Sequence, residues 1–199
     1  MTQKYILSEY FSLCEGGICK DLLSENEKRY VSEGGMILSG VAQRADIQNG
    51  NGRVYPYKVL AREVENFKKL IQERRTAGEL NHPDNASIDP NRVSHMITEI
   101  WWQNKDVYVK LKVLTGVPGQ QLRSLVNDGV AIGLSSRGLG SVQDVGNGKL
   151  LVEDDFQLIA FDVVLEPSTA GAFMKLNESK NFKTNNINKI IDDILMKRK

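Results

Sequence analysis

The chain has 199 residues, 41% of them hydrophobic, with 26 basic side chains against 25 acidic ones. That suits one ordinary domain with a real core, and the near-zero net charge offers no electrostatic footprint for nucleic acid or an acidic membrane as partner. No apolar run approaches the roughly 20 residues a spanning helix needs, and Met1-Thr2-Gln3-Lys4 leads into no signal-peptide core, so a cytosolic setting is expected.

Residues 1–33 lack a hydrophobic period and contain SENEK and SEGG, so they read as a loose arm or short helices. Cys14 and Cys19 have no histidine close in sequence to complete a metal site, and a reducing compartment disfavours a structural disulfide; both read as incidental. From Gly35 the character changes. MILSGVAQRADI (36–47) alternates as a strand and QNGNGR (48–53) is a turn cluster. Residues 54–75 become an amphipathic helix with Val59, Val64, Phe67, Leu70 and Ile71 on one face. TAGELNHPDNASIDP (76–90) is a polar loop with two prolines, followed by strands at 93–102 and 106–114 joined by QNK. Residues 116–129 form a short helix with a Pro-Gly start, an apolar face of Leu122, Leu125 and Val126, and a Gly stop. AIGLSSRG (131–138) is a strand, 140–155 a hairpin around Gly146-Asn147-Gly148, and 156–167 a strand ended by Pro167. NESKNFKTNN (177–186) is a linker, and 187–199 a short amphipathic helix with Ile187, Ile190, Ile191 and Leu195 on one stripe. Such a helix has no core of its own and needs a surface to dock on. The sum is a β-rich domain, 34–176, between an arm, 1–33, and a tail, 177–199.

Three residues stand out chemically. In AIGLSSRG, alternation puts Ile132, Leu134 and Ser136 on one strand face, and Ala131, Gly133, Ser135 and Arg137 on the other. With the Ile132–Leu134 face turned inward, Ser135 projects outward over small neighbours, which favours it over Ser136 as a nucleophile. Both serines merely ending a strand is the plain alternative. Asp162 lies in LIAFDVVL, apolar on both sides. A buried carboxylate needs a partner: a structural ion pair, or a histidine to orient, as in a Ser-His-Asp arrangement. His82, in GELNHPD, sits in a polar loop and has the pKa range of a general base, though a surface histidine would look the same. His95, in VSHMITEI, reads as a packed strand residue. The G-x-S-x-G elbow of α/β-hydrolases is absent, and the order His82…Ser135…Asp162 does not exclude a triad, since triads recur on unrelated folds.

Taken together, AGELNHPDNASIDP, EIWWQNKDVYVKLKVL and AIGLSSRGLGSV resemble the prohead (procapsid) proteases of T-even-like bacteriophages, and RVYPYKVLAREV and FDVVLEPSTAGA fit as well. The resemblance covers roughly residues 35–175. It implies a serine protease with an α+β fold similar to herpesvirus assemblins, a mostly antiparallel β-barrel surrounded by a few helices. It implies His82 as base, Ser135 (the first serine of SSRG) as nucleophile and Asp162 as the third member. Arg137 and Gly138 are candidate oxyanion donors, through a backbone N–H or the guanidinium, and a structural ion pair is the other role for Arg137. No metal and no cofactor are expected.

The resemblance further implies phage scaffold, core and capsid proteins as substrates, in a procapsid inside the host cytoplasm; from the composition no nucleic acid or membrane partner is expected. Assemblins are activated by dimerisation, so a homo-oligomer is an open expectation. Cleavage is expected after glutamate, in the pattern Leu or Ile, any residue, Glu, then a small residue. Within the chain, Leu13-Cys14-Glu15 precedes Gly16 and Leu176-Asn177-Glu178 precedes Ser179. Five other triplets, ending at Glu9, Glu25, Glu73, Glu99 and Glu153, lack the small residue. Self-cleavage at 15/16 and 178/179 would shed both ends, although the pattern is common enough for coincidence. The alternative function is a non-enzymatic procapsid core or tube-like structural protein on the same fold, for which an intact His82, Ser135 and Asp162 have no use.

Overall fold

The structure, a computed structural model, describes residues 23–83 and 85–165 in full, and the backbone of 5–11 and 175–176. Cys14, Cys19, both candidate self-cleavage bonds (Glu15–Gly16 and Glu178–Ser179) and the tail helix at 187–199 lie outside the described residues.

Three helices and eleven strands are described. Three strands order as β1 (Tyr5–Phe11), β7 (Gly133–Gly140) and β10 (Gln157–Val164), all antiparallel. A larger sheet runs β11 (Lys175–Leu176), β2 (Ile37–Arg44), β6 (Asp106–Val113), β5 (Val93–Gln103), β4 (Ala77–Glu79). A third joins β3 (Arg53–Val54), β9 (Lys149–Val152) and β8 (Val142–Gly146). The chain is thus α+β and mostly antiparallel, with β3–β9 a parallel pair.

The expected barrel is not closed among the described residues. A single bridge, Leu80 to Val163, links the β4 end of the large sheet to β10. No ladder joins β1 to β2 or β11. The seam at Leu80 stays one bridge long because Asn81 turns the chain away at φ 69°, a left-handed conformation that asparagine tolerates better than most residues. The open seam is therefore where His82 begins its loop.

Helix α2 (Tyr57–Gln72) buries Val59, Leu60, Val64 and Phe67 against the strands, as its apolar spacing predicts. Each such side chain contributes roughly 1.5–3 kcal/mol by leaving water. Phe67 meets Phe161 edge to face, with ring centroids 5.3 Å apart, directly behind the β10 position next to Asp162. The same helix fixes the start of β10: Arg62 donates to the Asp154 and Phe156 carbonyls, and the buried Glu63 accepts from Leu158 N–H at 2.9 Å. With Pro56 at its N-cap, α2 takes a capping acceptor from afar. Asp46 Oδ1 accepts from Tyr57 N–H at 3.0 Å, and the Lys105 ammonium together with that N–H holds the Asp46 carboxyl below its usual value.

Helix α3 (Val117–Asn127) follows the Pro-Gly start, buries Leu122, and stops before Gly129, which has φ 80°. Helix α1 (Glu25–Ser32) carries a capping box of Ser24 and Glu27. It docks on β6 through Tyr30, whose hydroxyl donates to the Val113 carbonyl, and through the fully buried Lys110, which pairs with Glu27 at 3.1 Å. The sequence reading anticipated short helices here but not β1, nor the two- and three-residue strands β3 and β4.

Candidate active site

The site forms where β4, β7 and β10 meet. On β7, Ser135 stands opposite Asp162 of β10 in the antiparallel register, which puts both side chains on one face. Arg137, two residues on, shares that face, as alternation predicts. The opposite expectation about exposure fails: Ser135, Ser136, Arg137 and Asp162 are all buried, Ser135 completely. Strand β7 is the middle of its sheet, so neither edge is open, and the segment following β4 crosses the face that was expected to be bare.

His82 reaches this face because of its local sequence. Gly78 lets β4 press against His95 and the Phe161 carbonyl; a Cβ at that position would collide with both. After the Leu80–Val163 bridge, Asn81 donates its N–H to the Val163 carbonyl at 2.8 Å, and its side chain accepts from His82 N–H at 3.0 Å. That turn aims the imidazole at β10, where Nδ1 lies 2.8 Å from Asp162 Oδ2. A carboxylate accepts, so Nδ1 carries the hydrogen and the ring's basic lone pair is on Nε2. The His82 side chain is only 9% exposed.

Asp162 is held on both oxygens. Oδ1 accepts from Glu79 N–H and from the Arg137 guanidinium, each at 3.0 Å. Arg137 Nε lies 3.0 Å from Oδ2, an ion-pair contact rather than an aligned hydrogen bond. The guanidinium also meets Glu79 Oε1 at 3.3 Å and donates to the Asn85 and Ser87 carbonyls at 3.1 and 3.2 Å. Glu79 in turn accepts from Asp89 N–H at 2.8 Å and pairs with Arg92 at 3.2 Å. The Arg137 guanidinium is thus committed to acceptors of the protein itself, as in the expected ion pair. Among the described residues the hydroxyls of Ser135 and Ser136 have no hydrogen-bond partner.

His95 lies just behind this cluster. Its Nε2 donates to the Phe161 carbonyl and its Nδ1 accepts from the Ser94 hydroxyl, both at 2.9 Å. Burial pushes its pKa down to about 4, against the pull of Asp162 and the Phe161 carbonyl. It is a neutral structural histidine. Sequence reasoning missed Glu79, Asn81 and Arg92. Glu79 and Asn81 were inside the GELNHP motif, but nothing local marks them as partners of residues far along the chain.

A histidine aimed by a buried aspartate, with a serine opposite that aspartate in the strand register, is the set of groups used for acyl transfer, although the serine hydroxyl makes no hydrogen bond to the histidine here. The family described as prohead core protein serine protease matches residues 12–184. The chain belongs to that family. The prohead core protein protease of Enterobacteria phage T4 is a 32% identical relative over 166 residues, 81% of this chain and 78% of that one. The solved structure of the bacteriophage T4 capsid assembly protease, gp21, is similar with a TM-score of 0.72 and 28% identity, covering 82% of this chain and 99% of that one. Membership in the prohead core protease family makes this chain a peptidase by kinship.

Proposed function

We propose that the protein is a serine endopeptidase that cleaves scaffold, core and capsid proteins inside a phage procapsid, after Glu in a Leu/Ile-x-Glu pattern before a small residue, and that it trims its own ends. The observation that carries the reading is the 2.8 Å His82–Asp162 hydrogen bond beside Ser135, the register partner of Asp162. Asp162 holds the His82 tautomer and stabilises the imidazolium. His82 Nε2 takes the proton from Ser135 Oγ as the hydroxyl attacks the scissile carbonyl. The imidazolium then protonates the leaving amine, and water hydrolyses the acyl-enzyme by the reverse relay. With the Arg137 side chain occupied, an oxyanion donor in the Arg137–Gly138 segment would be a backbone N–H.

The five triplets without a small following residue lie in or at the ends of β1, α1, α2, β5 and β9, whose backbones are tied into regular structure. Self-processing at Glu15–Gly16 and Glu178–Ser179 would leave a mature protease domain without the arm and the tail.

The test is mass spectrometry of the purified chain after long incubation. The wild type is expected to lose residues 179–199, and Ser135→Ala and His82→Ala to stay whole. Asp162→Asn should slow processing by about 10⁴-fold, the scale of a mis-set histidine tautomer. Processing by Ser135→Ala would remove Ser135 as nucleophile. A wild type that stays whole and also leaves a Leu-x-Glu-Ser peptide uncut would remove the glutamate rule.

A further inference from the structure

We infer that Glu79 and Arg137 are positioning residues for the His82–Asp162 pair: Arg137 locks the acid and the base-bearing loop together, and Glu79 restores the negative charge that Arg137 cancels. The inference rests on the reading of His82 as the base.

The geometry makes the case in two steps. One guanidinium contacts both oxygens of Asp162 and also binds the carbonyls of Asn85 and Ser87, just past His82. A planar fork of donors does this; a lysine point charge cannot. The same cation has a consequence for charge. Arg137 and Asp162 are fully buried and sum to zero, so an imidazolium formed at His82 would face a neutral partner. Glu79, also fully buried and 3.3 Å from the guanidinium, brings the trio to −1. The imidazolium then balances the three fully buried charges, where interactions are weakly screened, while the cation on the other Glu79 oxygen, Arg92, is partly in solvent and offsets Glu79 less.

Among the described residues, the titratable and charged groups around the His82–Asp162 pair include Asp162 from β10, Glu79 from β4, Arg137 from β7, neutral His95 from β5 behind Gly78, and Arg92 and Asp89 from the loop after β4. Asp89 gives Glu79 its N–H and turns its carboxylate to Asn91. Arg92, on the other Glu79 oxygen and 38% exposed, damps Glu79 from the solvent side. Removing Glu79 and removing Arg92 should therefore shift His82 in opposite directions.

The experiment is a proton NMR titration of the His82 ring in the full chain carrying Ser135→Ala, which prevents self-cleavage. The chain has two histidines, so one variant assigns the signal. Relative to the parent chain, Glu79→Gln should lower the His82 midpoint and Arg92→Gln should raise it. With Ser135 intact, Arg137→Lys should slow labelling of Ser135 by a fluorophosphonate about tenfold or more while the His82 midpoint stays near wild type. In that labelling the P–F bond breaks, Ser135 Oγ bonds to phosphorus, and His82 takes the proton. A folded Glu79→Gln with an unmoved midpoint overturns the Glu79 role. Should Glu79→Gln not fold, an unmoved or lowered midpoint in Arg92→Gln overturns it instead. Arg137→Lys labelled at the wild-type rate overturns the Arg137 role. A wild type that is never labelled removes the serine-nucleophile reading, while the titration still decides this one.

Discussion

His95 could take up a proton only as a buried charge, with the Ser94 hydroxyl turned from donor to acceptor while Nε2 still donates to the Phe161 carbonyl. Its folded pKa of about 4 lies below the usual 6.5. Between those values the unfolded chain binds a proton that the folded chain refuses, so folding stability is whole above pH 6.5 and erodes as pH falls toward 4. The slope from this one group is at most about 1.4 kcal/mol per pH unit. Urea unfolding of His95→Gln at several pH values should show that share of the slope removed; parallel curves for the two proteins would count against the account. Much at this scale was legible. Strand context separated His95 from His82, and alternation put Ser135 with Arg137. Exposure was not, because what covers a strand face comes from elsewhere in the chain. The Glu79–Arg137 pair spans 58 residues and no local pattern announces it.

At the scale of elements, β4 sets the position of everything around His82. It is three residues long, so no alternation within TAGELNHP could reveal it, and the sequence read as a loop. What holds it is the absence of a side chain at Gly78, which brings the backbone against His95 and Phe161. Gly78→Ala should destabilise the fold by about 1–3 kcal/mol through overpacking, and should slow fluorophosphonate labelling of Ser135 as well, since β4 carries the N–H that holds Asp162. Chemical denaturation and labelling read the two effects; a variant as stable and as reactive as the wild type would refute the close packing. Elements of eight residues or more with a clear period, such as α2, α3, β2, β5, β6 and β10, stood where the sequence put them to within a few residues. Strand β1 did not, because YILSEYF carries no clean alternation and its pairing with β7 is long-range.

At the scale of the whole molecule, a fully buried Ser135 means that a substrate reaches it only after something moves. Strand β1 pairs along β7 with Tyr10 opposite Ser135, and the candidate bond Glu15–Gly16 follows that strand closely in sequence. A chain locked at full length by Glu15→Gln and Glu178→Gln should react with a fluorophosphonate at least about tenfold more slowly than a chain trimmed to 16–178, as a local opening equilibrium predicts. Hydrogen exchange along 134–140 should quicken on trimming. Equal labelling rates would mean that the ends do not gate the site. Sheet order and the open seam at Leu80 were out of reach of sequence periodicity, which assigns faces to strands but not neighbours.

The span between the candidate base and its acid has a consequence in time. His82 and Asp162 are 80 residues apart, with Ser135 between them. During synthesis the ribosome delivers the imidazole first, the hydroxyl next and the carboxylate last, on a strand that pairs only with partners already made. A nascent or truncated chain ending before β10 holds a histidine and a serine but nothing to orient them. On the proposed reading, the order of translation alone should delay cutting until β10 has left the ribosome.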